Sequence, residues 1–387
     1  MISVRERRAL AFIGLRLCLL PAFHQHSLPM REPPLLRLRI GQKGITTMPL
    51  VPMKQLLDEA SKGNYGVGAF NVNNMEQVQA IMSAANTTNS PVIIQASRGA
   101  LQYTNFIYLK HLMMAAVEDN PQIPVALHLD HGNSFDTCRK AIELGFTSVM
   151  IDASLETDGK TVASYEYNVK ATREVVEFAH ERGVTVEAEL GTLGGIEDGH
   201  GSGQVNLTDP AQAVDFVEKT GCDALAVAIG TSHGAYKSLN IGPDGKAMPP
   251  TLAIDRIIDI HQRIPQVPLV MHGSSSVPQE LIAEINKYGG QMKAAFGIPM
   301  SQIQEGIRHG VRKINIDTDG RLAITATIRK IFWEDPKEFD PRKYLGPARD
   351  ALTKLIEQKM KELGQAGHGK DFEALSLEDM KRGYQTA

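Results

Sequence analysis

The chain has 387 residues, with 41 Lys and Arg against 44 Asp and Glu, 42% hydrophobic residues and 3 cysteines. That is enough chain to bury a large core without covalent staples, and its ordinary apolar and charged content excludes wholesale disorder. A formal charge of −3 gives no electrostatic basis for nucleic-acid binding, and Cys18, Cys138 and Cys222 are too scattered for a disulfide framework or a cysteine zinc site. So few cysteines suit a reducing compartment, and we expect a cytoplasmic protein.

The first segment differs in kind from the rest. Residues 1–47 hold Arg5, Arg7, Arg8, Arg16, Arg31, Arg37, Arg39 and Lys43 against only Glu6 and Glu32. The apolar run Ala9–Ala22 superficially resembles a signal peptide, but Arg16 interrupts it and no A-x-A cleavage site follows. It is also too short to span a bilayer, and no membrane partner is expected. We read residues 1–47 as a mis-assigned start, with Met48 the true one, or as a disordered leader.

From residue 66 one rhythm repeats: a short apolar run, a polar or glycine-rich stretch, then a helical pattern. The runs are Gly66–Val72, Val92–Ser97, Val125–His131, Ser148–Ala153, Thr185–Gly191, Ala224–Gly230, Leu269–Gly273 and Lys313–Asp317. They are rich in Val, Ile and Ala and do not alternate, as expected of strands buried on both faces. Helices are predicted at Met75–Asn89, Phe106–Glu118, Ser134–Leu144, Val162–Arg182, Pro210–Thr220, Leu252–Arg263 and Pro278–Tyr288. Ser134 is a natural N-cap, Asp209-Pro210 a helix start, and Gly145, Gly183 and Gly221 are stops. Eight βα units in order predict an α/β protein with a (β/α)8 TIM barrel at 48–335. A doubly wound open sheet is the alternative, disfavoured because no G-x-G-x-x-G follows the first strand. Pro341–Gly364 reads as a terminal helix, making 336–387 a C-terminal helical extension and polar tail.

Two connections are long. Thr192–Thr208 holds five glycines directly after Gly191, and Thr231–Pro250 is also rich in Gly and Pro. Loops of that length in a compact domain usually carry function. In a barrel, the residues at strand C-termini converge on one mouth. Here they are Asp130 and His131, Asp152, Glu187 and Glu189, His233 just past the sixth strand, His272, and Asn315 with Asp317. Three imidazoles plus carboxylates suit a divalent metal, and three histidines with an open fourth position form a catalytic zinc arrangement. His128 lies three residues before His131, so strand alternation points the two to opposite sides and leaves His128 structural. The runs Gly273-Ser274-Ser275-Ser276 and Asn315-Ile316-Asp317-Thr318 follow strands seven and eight, where barrels commonly bind phosphate. A Schiff-base lysine is disfavoured: the sixth strand has none, and Lys313 stands at the start of the eighth, far from the mouth.

With these motifs assembled, residues 48–345 resemble the class II, metal-dependent fructose-bisphosphate aldolases. The resemblance rests on Gly-Ala-Phe-Asn-Val-Asn at 68–73, Leu-Asp-His-Gly at 129–132, Met-Ile-Asp-Ala-Ser at 150–154 and Glu-Ala-Glu-Leu-Gly at 187–191. It continues through Gly-Gly-Ile-Glu-Asp at 194–198, Ser-His-Gly at 232–234, His-Gly-Ser-Ser at 272–275 and Asn-Ile-Asp-Thr at 315–318. The stretch from Phe-Asp-Pro-Arg at 339–342 onward resembles the form found in Calvin-cycle and glycolytic bacterial enzymes. The resemblance implies a lyase that cleaves fructose 1,6-bisphosphate, with His131, His233 and His272 as zinc ligands and Glu189 as an alternate ligand. It implies Asp130 as acid and base on the C4 hydroxyl and Glu197 as the proton-transfer residue at the dihydroxyacetone-phosphate carbon. Asn71, Ser97, Gly234, Gly273, Ser274, Ser275, Asn315, Asp317 and Thr318 would hold substrate. Arg342, acting in a neighbouring subunit of a homodimer or larger homo-oligomer, would grip the second phosphate. Asp152 and Glu187 would serve a second divalent ion, with a monovalent cation as a further cofactor. Ile196 stands where some members carry a second acid, which puts a full second-metal site in question. Tagatose- or sedoheptulose-bisphosphate aldolase stays open within the reaction class, and a zinc hydrolase or phosphosugar epimerase on the same barrel outside it.

Overall fold

The computed structural model describes residues 50–193, 206–234, 240–241, 247–371 and 373–386. The leader 1–47, Met48 and Glu197 lie outside the described residues. Eight parallel strands form the barrel: β1 (Val67–Asn71), β2 (Val92–Ser97), β3 (Val125–Gly132), β4 (Ser148–Ile151), β5 (Thr185–Leu190), β6 (Ala224–Val227), β7 (Leu269–Met271) and β8 (Val311–Ile316). They close in the order β1-β8-β7-β6-β5-β4-β3-β2. Val67 pairs with Lys313 on one side of the closure and Ala69 with Ile93 on the other. Nearly every strand residue is buried, which is why these segments read as apolar runs without alternation.

The helices are α1 (Met53–Gly63), α2 (Met75–Thr88), α3 (Arg98–Thr104), α4 (Phe106–Asp119), α5 (Phe135–Glu143), α6 (Tyr165–His180) and α7 (Pro210–Thr220). They continue with α8 (Ile254–Arg263), α9 (Gln279–Lys287), α10 (Met300–Arg308), α11 (Thr318–Glu334), α12 (Pro341–Glu362) and α13 (Leu377–Thr386). Ser134 and Asp209 cap as predicted, accepting from the Thr137 and Gln212 amides. The 162–182 helix begins at Tyr165, because Ser164 caps it by accepting from the Tyr167 amide. Among the described residues no helix is long and apolar enough to cross a membrane.

Helix α1 stands outside the repeating pattern. Its Met53, Leu56, Leu57 and Ala60 pack with Val67, Ala69, Ile93 and Ala126 from the lower barrel, so α1 plugs the N-terminal end. Alternate residues of each strand turn inward, and higher up the same strands the inward positions become polar: Asn71, Gln95, His128 with Asp130, Glu187 with Glu189, and Lys313 with Asn315. The predicted polar tail is partly helical. Within α13, Tyr384 stacks on His180 of α6 with ring centroids 3.6 Å apart, and Leu375 just before it donates its amide to Gln55 of α1 at 2.9 Å.

Candidate active site

Strand β3 supplies two neighbouring residues to the mouth, which strict alternation forbids. The pairing of β3 with β4 shifts register between Leu129 and Gly132, and His131 has φ +51°. That left-handed residue breaks the alternation, so Asp130 and His131 both reach the centre. It also corrects the expectation for His128. His128 points into the barrel, 3.5 Å from Glu187 Oε2 and 2.8 Å from Ser148 Oγ, on the same interior side as Asp130.

The three predicted ligands converge. One ring nitrogen from each of His131, His233 and His272 lies within 4.8 Å of the others, as do donor atoms of His131, Asp152 and Glu189. His131 Nδ1 donates to Asp152 Oδ2 at 3.0 Å, leaving Nε2 to face His272 Nδ1 at 3.0 Å. His272 Nε2 donates to Glu187 Oε1 at 2.8 Å, leaving Nδ1 toward the mouth. Carboxylates behind metal-binding imidazoles fix tautomer and ring orientation in this way. Glu187 is itself 2.9 Å from Lys313 Nζ, both fully buried. So Glu187 stands behind His272 and outside both donor groups, and Lys313 is an interior residue of β8 one carboxylate away from the mouth rather than remote from it.

Burial depresses the His272 imidazole well below its usual value, reinforced by His131 and Lys313. Burial also opposes protonation of His131, but Asp130, Asp152 and Glu189 outweigh it and push that imidazole up to about 10. Asp152 is drawn down to about 2: burial would raise it, yet the hydrogen bond and charge of His131 prevail. Glu189 is raised well above the carboxylate range by burial and by neighbouring Asp152. Its Oε2 is buried with no hydrogen-bond partner among the described residues. Crowded carboxylates, an orphaned oxygen and three convergent imidazoles fit a divalent cation.

Asp130 is clamped by amides. Its Oδ2 accepts from Asn71 Nδ2 at 3.0 Å and Gln95 Nε2 at 3.2 Å, and its Oδ1 from Asn315 Nδ2 at 3.1 Å. Gln95 is the participant that sequence reading missed. Its signal was an amide in the otherwise apolar β2, two residues before Ser97 on the same inward parity.

A cleft at the mouth is lined by Asn71, Asp130, His233, Gly234, Gly273, Ser275, Asn315, Asp317 and Thr318. Every one of these was a candidate from sequence. Gly273 has φ +59°, and a Cβ there would sit 2.4 Å from the Ser232 carbonyl oxygen, so only glycine lets the loops after β6 and β7 approach this closely. Of the other candidates, Ser97 caps α3 by accepting from the Ala100 amide, and Ser274 Oγ donates to the Met271 carbonyl. Arg342 is exposed, with Nη2 2.7 Å from Asp340 Oδ2 at the start of α12, and is not brought to this mouth within its own chain. A larger surface groove between α2, α4 and α12, lined by Met82, Leu112 and Thr353 among others, lies apart from this chemistry.

A closed eight-stranded βα barrel with ligating and acid–base side chains at its C-terminal mouth defines a barrel enzyme. The family model for class-II fructose-bisphosphate aldolases matches residues 51–368. The chain is 54% identical over 349 residues to the fructose-bisphosphate aldolase of a Nostoc species, covering 87% of this chain and 96% of that protein. It is equally 54% identical to the fructose-bisphosphate aldolase of Xanthobacter flavus, with 87% and 97% covered. Among solved structures, the YdjI aldolase of Escherichia coli is similar with a TM-score of 0.65 at 31% identity, covering 83% of this chain and all of that one. The chain belongs to the class-II fructose-bisphosphate aldolase family, whose members are generally metal-dependent.

Proposed function

We propose that this chain catalyses the reversible cleavage of fructose 1,6-bisphosphate to dihydroxyacetone phosphate and glyceraldehyde 3-phosphate, with zinc held by His131, His233 and His272. The observation that carries the reading is the convergence of those three imidazoles beside a carboxylate that three amides hold in place. Zinc bound there supplies a Lewis acid for the substrate carbonyl oxygen. Asp130 takes the C4 hydroxyl proton as the carbon–carbon bond breaks and returns it during condensation. Its amide clamp orients one oxygen for that transfer without competing as a base. Glu197 moves the proton at the dihydroxyacetone-phosphate carbon. Asn71, Gly234, Gly273, Ser275, Asn315, Asp317 and Thr318 bind substrate, one phosphate lying on the loop after β7.

Asp152 and Glu189, with His131, offer a position for a second divalent ion, and a monovalent cation belongs to the same proposal. Arg342 serves the second phosphate of a partner subunit in a homodimer; it is exposed at the start of α12, where it would exchange its pairing with Asp340 for that phosphate. A cytoplasmic setting in glycolysis, gluconeogenesis or the Calvin cycle completes the reading, and the free, buried Cys138 and Cys222 suit a reducing compartment. The test is metal analysis coupled to an aldolase assay before and after chelation, run on fructose, tagatose and sedoheptulose bisphosphates. Fructose 1,6-bisphosphate is expected to be preferred, with activity tracking bound zinc. Undiminished cleavage by metal-free protein would overturn the proposal.

A further inference from the structure

Against the Gly273–Ser276 loop lies a buried ionic link to the C-terminal extension. Asp319, in the first turn of α11, is fully buried. Its Oδ2 accepts from the Ser276 amide at 3.0 Å and from Ser276 Oγ at 2.9 Å, and its Oδ1 accepts from the Val277 amide at 2.8 Å. Lys359, near the end of α12, donates to Ser276 Oγ at 2.6 Å and lies 3.3 Å from Asp319 Oδ2. Its side chain is only 8% exposed. Glu362 is the other acid beside it, at 3.9 Å.

The loop needs such a clamp. Gly273 and Val277 both have positive φ, +59° and +51°, and a β-branched valine enters that region only when its surroundings impose it. Asp319 grips the amides on both sides of the Ser276–Val277 step, which holds the strained residue in place. A carboxylate buried that deeply needs a counter-charge, and Lys359 brings one from a helix outside the eight βα units.

We propose that Lys359 is a positioning residue for the anion-binding loop. Acting through Asp319 and Ser276, it holds the backbone of residues 273–276 in the shape that receives a substrate phosphate. The C-terminal extension thereby sets phosphate affinity while leaving the reacting carbons to the residues across the mouth. The inference rests on reading this loop as a phosphate site.

The test uses the full, zinc-loaded chain and four readouts: kcat, KM for fructose 1,6-bisphosphate, the inhibition constant of inorganic phosphate, and zinc content. Lys359→Met keeps the buried stem and removes the charge. It is expected to raise KM and the phosphate inhibition constant together by about tenfold, the scale of one charge-assisted hydrogen bond, with kcat and zinc content retained. Lys359→Arg should recover most of that loss. Ser276→Ala, which deletes the hydroxyl shared by Lys359 and Asp319, should give the same split and serves if Lys359→Met fails to fold. An unchanged phosphate inhibition constant in either variant would overturn the positioning role, as would a loss of kcat and zinc in step with KM. An active wild-type chain that inorganic phosphate does not inhibit would instead overturn the phosphate-site reading beneath it.

Discussion

Along β1, β2 and β3 the inward residues change from Val67 and Ala69 to Asn71, from Ile93 to Gln95, and from Ala126 to His128 and Asp130. The lower half of the barrel is closed by the apolar face of α1, whereas the upper half carries buried carboxylates, imidazoles and a lysine. One backbone serves both because strand pairing does not depend on what the inward side chains are. The lower layer gains stability by removing apolar surface from water. The upper layer sacrifices some of it, since each buried ion must be paired or must await a cation. Stability and chemistry should therefore separate under mutation.

The largest expected effect is at the top. Chelation should abolish cleavage, and zinc should restore it. Asp130→Ala should lower kcat by about 10²–10⁴-fold, the usual worth of a general acid–base group. Glu197→Ala should suppress exchange of the dihydroxyacetone-phosphate proton, read by proton–deuterium exchange, whereas Asp130→Ala should leave that exchange largely intact. Equal exchange rates in both variants would remove the division of labour.

Glu187→Gln breaks the middle of the buried Lys313–Glu187–His272 chain, so it should affect both halves. Leaving Lys313 uncompensated should cost about 3–5 kcal/mol in denaturant unfolding. Losing the negative charge of the acceptor behind His272 should weaken zinc binding by about 10–100-fold in a chelator competition. Leu57→Ala sharpens the contrast from below: about 2–5 kcal/mol of stability lost, with zinc affinity and KM unchanged. A Leu57→Ala chain with altered zinc affinity would show that the two layers are not separable.

Acidification bears on the top layer alone. Held up at about 10, metal-free His131 keeps its second proton throughout the neutral range, and a metal must displace it. Zinc uptake at pH 8 should thus release about one proton, measurable by calorimetry in buffers of different ionisation enthalpy. Affinity should rise with pH until His131 loses that proton unaided. The smallest effect is expected for a chain beginning at Met48, which should match the full chain in activity and in melting temperature; a stability loss above about 2 kcal/mol would mean that residues 1–47 pack on the barrel.

The barrel was legible because strands buried on both faces write themselves as apolar runs, and their polar last residues mark the mouth. Eight strands followed from that rule, as did Asp130, His233, Asn315 and Asp317 in the cleft lining; Gly273, Ser275 and Thr318 came from the phosphate-loop pattern, and Asn71 and Gly234 from the family resemblance. What stayed hidden depends on contacts between distant segments. Helix α1 reads as an ordinary amphipathic helix, and only the closed barrel makes it a plug. His128 was placed on the wrong side because alternation assumes no left-handed residue, and His131 is one. Lys313 looked remote because the eighth strand begins at Val311, two residues earlier than its apolar run suggested, which places Lys313 well inside. Gln95 and Lys359 carry no motif at all; each acquires its role from a partner more than thirty residues away.

The central claim, that three imidazoles at the mouth hold the working metal, is tested most directly by zinc X-ray absorption on the loaded protein and on His233→Ala. The account predicts about three imidazole nitrogens near 2.0–2.1 Å with an oxygen completing the shell, and one imidazole fewer in the variant. A shell of oxygens alone, a sulfur near 2.3 Å, or an unchanged spectrum in His233→Ala would contradict it.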